Sequence, residues 1–374
     1  MYWKRHGAVY YGGTEALWEL LMLMFWVFLS FLLASLLSTA NAEQIFTTHV
    51  SNSAMDTRSI ALVDTVTGKD RVIEVNTNGE VIWSWSFPPG MINGNSICMG
   101  AGIQYKPLSD SFIVVAPHHS VIEVRRDGSH KVLATDPEVD HDFHVFDDGS
   151  VLFARGFVDK GDDNFAIHNK HGKKIWSWKA DEHLKTRQEY WGSSCKIREK
   201  NWKNKGHRDW AHANGISIKD NGNYVLSLRN FSAFFEVEPN SGRVVKEYTG
   251  HIGVHEPTPY KDGFVLADRD CTGSNKSNAV EKQSIRITDI ERVVKNRLLE
   301  GKLLLARGIE VLPNGNFFVT TISTMMEIDP QGTVLFKAAI KGQDPDMESK
   351  GRDALPKMTG RCKWKTLYKA VKTN

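Results

Sequence analysis

Cysteine is scarce: 374 residues contain four, Cys98, Cys195, Cys271 and Cys362, none at C-x-x-C spacing. The absence of that spacing argues against a zinc ribbon and a thioredoxin-like redox motif. If the chain is exported, one or two disulfides can form, with a connectivity the sequence does not define. Net charge is small as well, because 47 basic and 44 acidic residues leave +3, with both signs interleaved along the chain. No basic stripe is present, so no nucleic-acid partner is expected. Extended apolar runs are missing too, apart from one at the N-terminus.

That run extends from Leu20 to Leu37, after Lys4 and Arg5. At about 18 residues it is long for a signal core and just long enough to span a bilayer. Ala40 and Ala42 fit a small-x-small cleavage site that would leave Glu43 as the new terminus. Residues 1–42 therefore read as a signal peptide or an uncleaved transmembrane anchor, expected as one hydrophobic helix. In both cases the positive flank stays inside, and the rest of the chain lies outside the cytoplasm, whether periplasmic, secreted or lumenal. Uncleaved, the segment makes the membrane a partner. Asn230-Phe-Ser and Asn275-Lys-Ser are sequons, relevant only in a host that glycosylates.

What the chain does have is a repeat. Five segments share a short strand, a glycine turn and a second apolar strand: RVIEVNTNGEVIWSW, SVIEVRRDGSHKVLA, FAIHNKHGKKIWSW, FFEVEPNSGRVVKEY and MMEIDPQGTVLFKA. Other hairpins precede them, built on Asp-Gly or Asn-Gly: FHVFDDGSVLFAR, ISIKDNGNYVLSLR, TPYKDGFVLADR and IEVLPNGNFFVTT. Asn-Gly and Asp-Gly between alternating apolar residues are the strongest local hairpin signals. Two hairpins per unit, repeating at about 45 residues, have the length and content of a propeller blade. The reading is all-β, a six-bladed β-propeller over 43–340, with a degenerate repeat near 284–294. A basic, aromatic insertion occupies about 179–208, and a basic tail covers 341–374, where CKWKTLYKAV can supply a closing strand. The Trp83/Trp85 and Trp176/Trp178 pairs fall on outer strands and read as inter-blade packing.

The repeat register also selects the chemistry. Eight residues before the inner-hairpin glycines Gly149, Gly222, Gly263 and Gly315 stand His141, Asn214, His255 and Arg307. Six or seven residues after them stand Arg155, Arg229, Arg269 and Thr321. Equidistant residues of a hairpin are cross-strand neighbours, so His141/Arg155, Asn214/Arg229 and His255/Arg269 are expected as near pairs. First strands line a propeller's channel, so His141, His144, His212, Asn214, His255 and Arg307 should converge at one mouth. Taken singly, a histidine at a strand start is usually a surface or backbone-satisfied residue, and an arginine at a strand end is usually only solvated; recurrence at one register argues otherwise. His118 and His119 lie off it. Asp142, Asp209 and Glu256 are adjacent without being in register. Such a cluster suits a multi-oxygen anion. It fits nucleophilic catalysis by a neutral histidine with Arg and Asn stabilising charge, or a metal held by three histidines with a bound water.

At these residues the sequence resembles the arylsulfotransferase family, six-bladed propellers exported from the cytoplasm. The resemblance is carried by DWAHANGI…DNGNYVLSLRN at 209–230, HDFHVFDDGSVLFAR at 141–155, HEPTPYKDGFVLADRD at 255–270 and ARGIEVLPNGNFFVTT at 306–321. It implies transfer of a sulfuryl group from an aryl sulfate to a phenol through a sulfohistidine, without a nucleotide donor or other cofactor and without a metal. It maps His255 as nucleophile, with His251 as a rival, and His212, Asn214, Arg229 and His141 as its catalytic partners. His144, Arg307 and Arg269 are expected to bind substrate. Two other readings fit the residues: a metal-dependent lyase or hydrolase on the same histidines, and a non-enzymatic propeller that binds a glycan or a protein.

Overall fold

A computed structural model describes residues 22–26, 42–64, 66–92, 101–184, 208–272, 280–289, 294–303, 306–344 and 367–373. The chain divides into residues 1–43 and 44–374. In the first unit the described residues include a helix at 22–26. Among the described residues, no helix is long and apolar enough to cross a membrane. The rest of the N-terminal apolar run and most of the 179–208 insertion lie outside the described residues. So do Cys98, Cys195 and Cys362, and the side chain of Cys271.

The second unit is six antiparallel sheets. Blade 2 runs outward through Ile103–Lys106, Ser111–Ala116, Ser120–Arg125 and His130–Thr135. Blade 3 follows with Asp140–Val145, Val151–Ala154, Phe165–His168 and Lys174–Trp178. Blade 4 holds Ala213–Ile218, Tyr224–Leu228, Ala233–Val237 and Val244–Thr249. Blade 5 has longer strands, Ile252–Tyr260, Gly263–Thr272, Val280–Thr288 and Val294–Leu303. Blade 6 is Gly308–Val311, Phe317–Thr320, Thr324–Ile328 and Val334–Ile340.

Both ends of the chain close the ring. Blade 1 takes Ile60–Val63, Arg71–Val75 and Val81–Ser86 from the start of the unit, and its inner strand, Ala370–Lys372, from the C-terminus. Leu62 faces Ala370 and Ile60 faces Lys372 across that pairing. Phe46–Ser51 adds a fifth, outermost strand to blade 6. Such closure covers edges that would otherwise be free to pair. Outer-strand indoles bind neighbouring blades: Trp83 Nε1 donates to Arg126 O and Trp85 Nε1 to Gly128 O, each at 3.1 Å. In the same way Trp176 lies against Tyr224 and Trp178 against Phe235. Burying a large side chain this way contributes roughly 1.5–3 kcal/mol.

The inner strands surround the axis, each packed against its neighbours. Between blades 4 and 5 the approach needs Gly215, where a Cβ would lie 2.7 Å from Glu256 N and 2.7 Å from Ser227 Oγ. This accounts for the glycine that follows Asn214.

Candidate functional site

Three inner strands bulge where their polar residues fall. In blade 3, Phe153 pairs with Phe143 but Ala154 pairs with Asp140, leaving His141 and Asp142 out of step. In blade 4 the shift lies between Ala213 and Gly215, at Asn214. In blade 5 it occurs on both sides of His255. A bulge turns side chains away from strict alternation. His141, His212 and Glu256 have φ of 59°, 52° and 44°. For residues with a Cβ this left-handed geometry costs about 1–2 kcal/mol each, and such strain concentrates at functional sites.

The bulges also change the expected pairs. Arg229 N–H bonds to His212 O at 3.1 Å, so its backbone pairs with His212 and not Asn214. Ala267 faces His255, whereas Arg269 faces Ile252. Arg155 bonds to Asp136 Oδ1 at 3.2 Å and to Asp163 O at 3.0 Å.

The structure brings His141 and His212 into direct contact, Nε2 to Nε2, at 3.1 Å. Such a contact between imidazoles needs one proton between them. Nδ1 of His212 meets the Asp209 carboxylate; donating there leaves Nε2 of His212 as acceptor and makes His141 the donor. On the far side of His141, Asp140 Oδ2 lies 3.1 Å from Nδ1. The chain Asp140–His141–His212–Asp209 thus crosses from blade 3 to the entry of blade 4. Phe157 packs against both rings, at 5.5 and 5.1 Å.

His255 is held differently. Its Nδ1 bonds to Gly253 O at 2.7 Å, so Nδ1 carries the proton and Nε2 presents its lone pair. Asn214 reaches the same segment, donating from Nδ2 to Val254 O at 3.1 Å and accepting from Ser227 Oγ at 2.7 Å. Burial, then the charges of Arg229 and Arg307, hold the His255 pKa well below the ordinary imidazole value. Burial also depresses His212, followed by Arg229, His141 and Arg307. Both rings are neutral at neutral pH. Arg229 Nη2 lies 3.6 Å from Asp209 Oδ2. Arg307 sits over the Tyr368 ring at 5.5 Å. Two guanidinium groups thus act electrostatically on the same two neutral imidazoles, an arrangement suited to a multi-oxygen anion.

Other residues fall elsewhere. His144, three positions along the strand from His141, lines an axial cavity of about 470 Å3 with Gln104, Ser217, Thr258, Glu310 and Lys372. His251 packs on Phe234 at 5.3 Å. Asn230, the first sequon, is buried and donates to Asp209 O at 2.6 Å, so its amide serves the site entry and is closed to glycosylation in the fold. The side chain of Arg269 lies outside the described residues.

Four groups escaped sequence reasoning as site members: Asp209, Phe157, Tyr368 and Lys369. The Tyr368 hydroxyl donates to Asn214 O at 3.4 Å and its ring meets His141 edge-on at 5.2 Å. Burial and then the Asp142 and Asp140 charges push its phenol pKa well up, keeping it a donor. Only the DWAH spacing, Asp three residues before His, signalled Asp209. Among the described residues, no three His, Cys, Asp or Glu side chains are grouped so as to hold a metal ion.

Fold and site together define a six-bladed propeller with a buried histidine cluster and neighbouring arginines at the start of its inner strands. Residues 98–252, less than half of the chain, match the model of a known family, Arylsulfotransferase (ASST). The matched segment holds His141, His212, Asn214 and Arg229, whereas His255, Arg307 and Tyr368 lie beyond it. A search of curated proteins gives no match. Among solved structures, a protein of unknown function from Bacteroides caccae is 14% identical, with 75% of this chain and 93% of that one covered and a TM-score of 0.49. TolB from Acinetobacter baumannii is 14% identical over 76% and 63%, also at 0.49. Virginiamycin B lyase from Staphylococcus aureus is 13% identical over 66% and 72%, at 0.38. At these scores none of the three bears on the activity.

Proposed function

We propose that the protein transfers a sulfuryl group from an aryl sulfate to a phenol, with His255 as the covalent nucleophile. The observation that carries this is the Nδ1–Gly253 bond of a buried, neutral His255 on which the charges of Arg229 and Arg307 act. A neutral imidazole with a fixed tautomer keeps a lone pair at Nε2, which is the form that attacks. The family match supports arylsulfotransferase chemistry at the level of the class.

In the first half-reaction Nε2 of His255 forms an N–S bond as the S–O(aryl) bond breaks and the phenolate leaves. As in phosphoryl transfer, the negative charge is spread over peripheral oxygens, so catalysis rests on positioning and electrostatics. Arg229 and Arg307 supply the charge, and Tyr368 and Asn214 hold the surrounding geometry. In the second half-reaction the acceptor phenol gives its proton to the His212–His141 pair. Its oxygen attacks sulfur, and the N–S bond breaks. The proton returns to the departed phenolate, so no net acid or base is consumed. Asp209 stabilises positive charge on His212 and fixes its tautomer, as the carboxylate of a triad does.

On this reading the chain works outside the cytoplasm, delivered by the apolar segment at 20–37 as a cleaved signal or a single anchor. The test is incubation with a chromogenic aryl sulfate and a phenol. Release of the chromophore that depends on the phenol, with one sulfated phenol formed per chromophore, is expected. A folded protein giving neither contradicts the reading.

A further inference from the structure

Directly beneath the histidines lies a buried ionic network. Lys369 Nζ contacts the Asp142 carboxylate at 3.1 Å and also the Glu256 carboxylate. Asp142 follows His141 in sequence and Glu256 follows His255. The second oxygen of each carboxylate reaches another blade: Asp142 Oδ2 accepts from Ile216 N at 2.9 Å, and Glu256 Oε2 from Ile309 N at 3.3 Å. Ile216 stands two residues after Asn214, and Ile309 two after Arg307. One ammonium group supplied by blade 1 therefore bridges, across the axis, the inner strands of blades 3 and 5. Through the two carboxylates it is linked to blades 4 and 6.

Two features make this more than a buried salt bridge. First, each carboxylate sits in or beside a strained bulge, with φ of 59° at His141 and 44° at Glu256. Strain of that kind persists only where surrounding contacts over-determine it. Second, the side chains of Lys369 and Asp142 are 9% and 3% exposed, which makes the charges costly unless they serve a purpose. A hydrophobic trio would pack without that cost but would not bond Ile216 and Ile309.

We propose that Lys369 is a positioning residue for the transfer reaction: it clamps the bulges that present His141 and His255, so the C-terminal strand is a working part of the site. For turnover this rests on the sulfuryl-transfer reading; for geometry it does not. It follows that an active site assembled mainly from blades 3 to 6 is completed only when the last strand of the chain docks.

The test uses the full chain with Lys369→Met, which keeps length and loses the ammonium, and with Glu256→Gln, which keeps an acceptor for Ile309 N–H. In histidine-15N-labelled protein, the Met variant should shift the ring resonances of His141 and His255 and leave those of His168, on an outer blade strand, in place. Turnover should fall about 100-fold, the scale of a small misplacement of reacting groups, with KM for the aryl sulfate changed less than about threefold, since the donor's own contacts remain. If the Met variant fails to fold, the Gln variant decides, with a His255 shift and a loss of about tenfold expected. In a folded variant, unmoved His141 and His255 resonances, or unchanged kcat, overturn the proposal. A wild-type protein without transfer activity defeats the sulfuryl reading alone, and the resonances then judge the clamp.

Discussion

The two ends of the same inner strand are built for different purposes, and blade 3 shows it within four residues. His141 is buried, left-handed and paired with His212. His144 is half-buried, lies in regular strand opposite Leu152, lines the axial cavity and meets the Phe146 ring at 4.8 Å. Burial lowers the His144 pKa, with Asp142 and then Asp147 opposing it. Residue type is therefore a poor guide to role here. A bulge that departs from the ladder, a bonded tautomer and nearby guanidinium groups separate a reactive imidazole from a lining one.

The largest expected effect comes from setting the reactive imidazole, His255, against the lining one, His144, in an assay. His255→Asn should abolish transfer, by at least about 1,000-fold, as loss of a covalent nucleophile does, whereas His144→Asn should leave kcat within about threefold. A comparable loss in both would break the comparison. Next in size is Asp209→Asn, which removes the carboxylate behind His212. Turnover of a poorly acidic acceptor phenol should fall about 100-fold, the range for a positioned proton-transfer partner, with less effect on chromophore release in the first turnover.

A third prediction sharpens the packing side of the comparison. Gly215→Ala places a Cβ 2.7 Å from backbone Glu256 N, which should cost about 1–3 kcal/mol as an overpacked contact, read by denaturant unfolding. Gly222→Ala, at the far turn of the same hairpin, meets nothing within 4 Å, although its φ of +84° still strains the substitution.

The smallest effect is in the pH dependence of stability. His212 and His255 have folded-state pKa values below that of the unfolded imidazole. Their contribution is complete above about pH 6.5. As pH falls below that, the unfolded chain binds protons that the folded one does not, and stability declines. Each group contributes at most about 1.4 kcal/mol per pH unit to the slope. Replacing His255 with Asn should flatten the acid limb below about pH 6.5; an unchanged slope would mean that the ring titrates alike in the folded and unfolded chains.

Much of the architecture was legible because the inner turns are written in Asp-Gly and Asn-Gly, and a blade is a local object. Counting from those glycines led to the inner strands that carry His141, Asn214 and His255. It failed on cross-strand partners, because the bulges at His141–Asp142, at Asn214 and on both sides of His255 break equidistance. Lys369 and Tyr368 were illegible for a different reason. They immediately precede a strand, Ala370–Lys372, that pairs with Ile60–Val63 far back in the sequence, and nothing local to a basic tail signals a position on the propeller axis. Asp209 stood in plain view beside His212, but the turn that places it under the ring lies before the first strand of its blade and outside the repeat.

The most direct test of the account is peptide mapping of protein quenched at alkaline pH after exposure to an aryl sulfate without acceptor. One sulfuryl group on the peptide carrying His255, discharged when a phenol is added and absent from His255→Asn, is the predicted result. A sulfuryl group on the His212 or His141 peptide instead, or full turnover with no labelled histidine, would contradict the central claim.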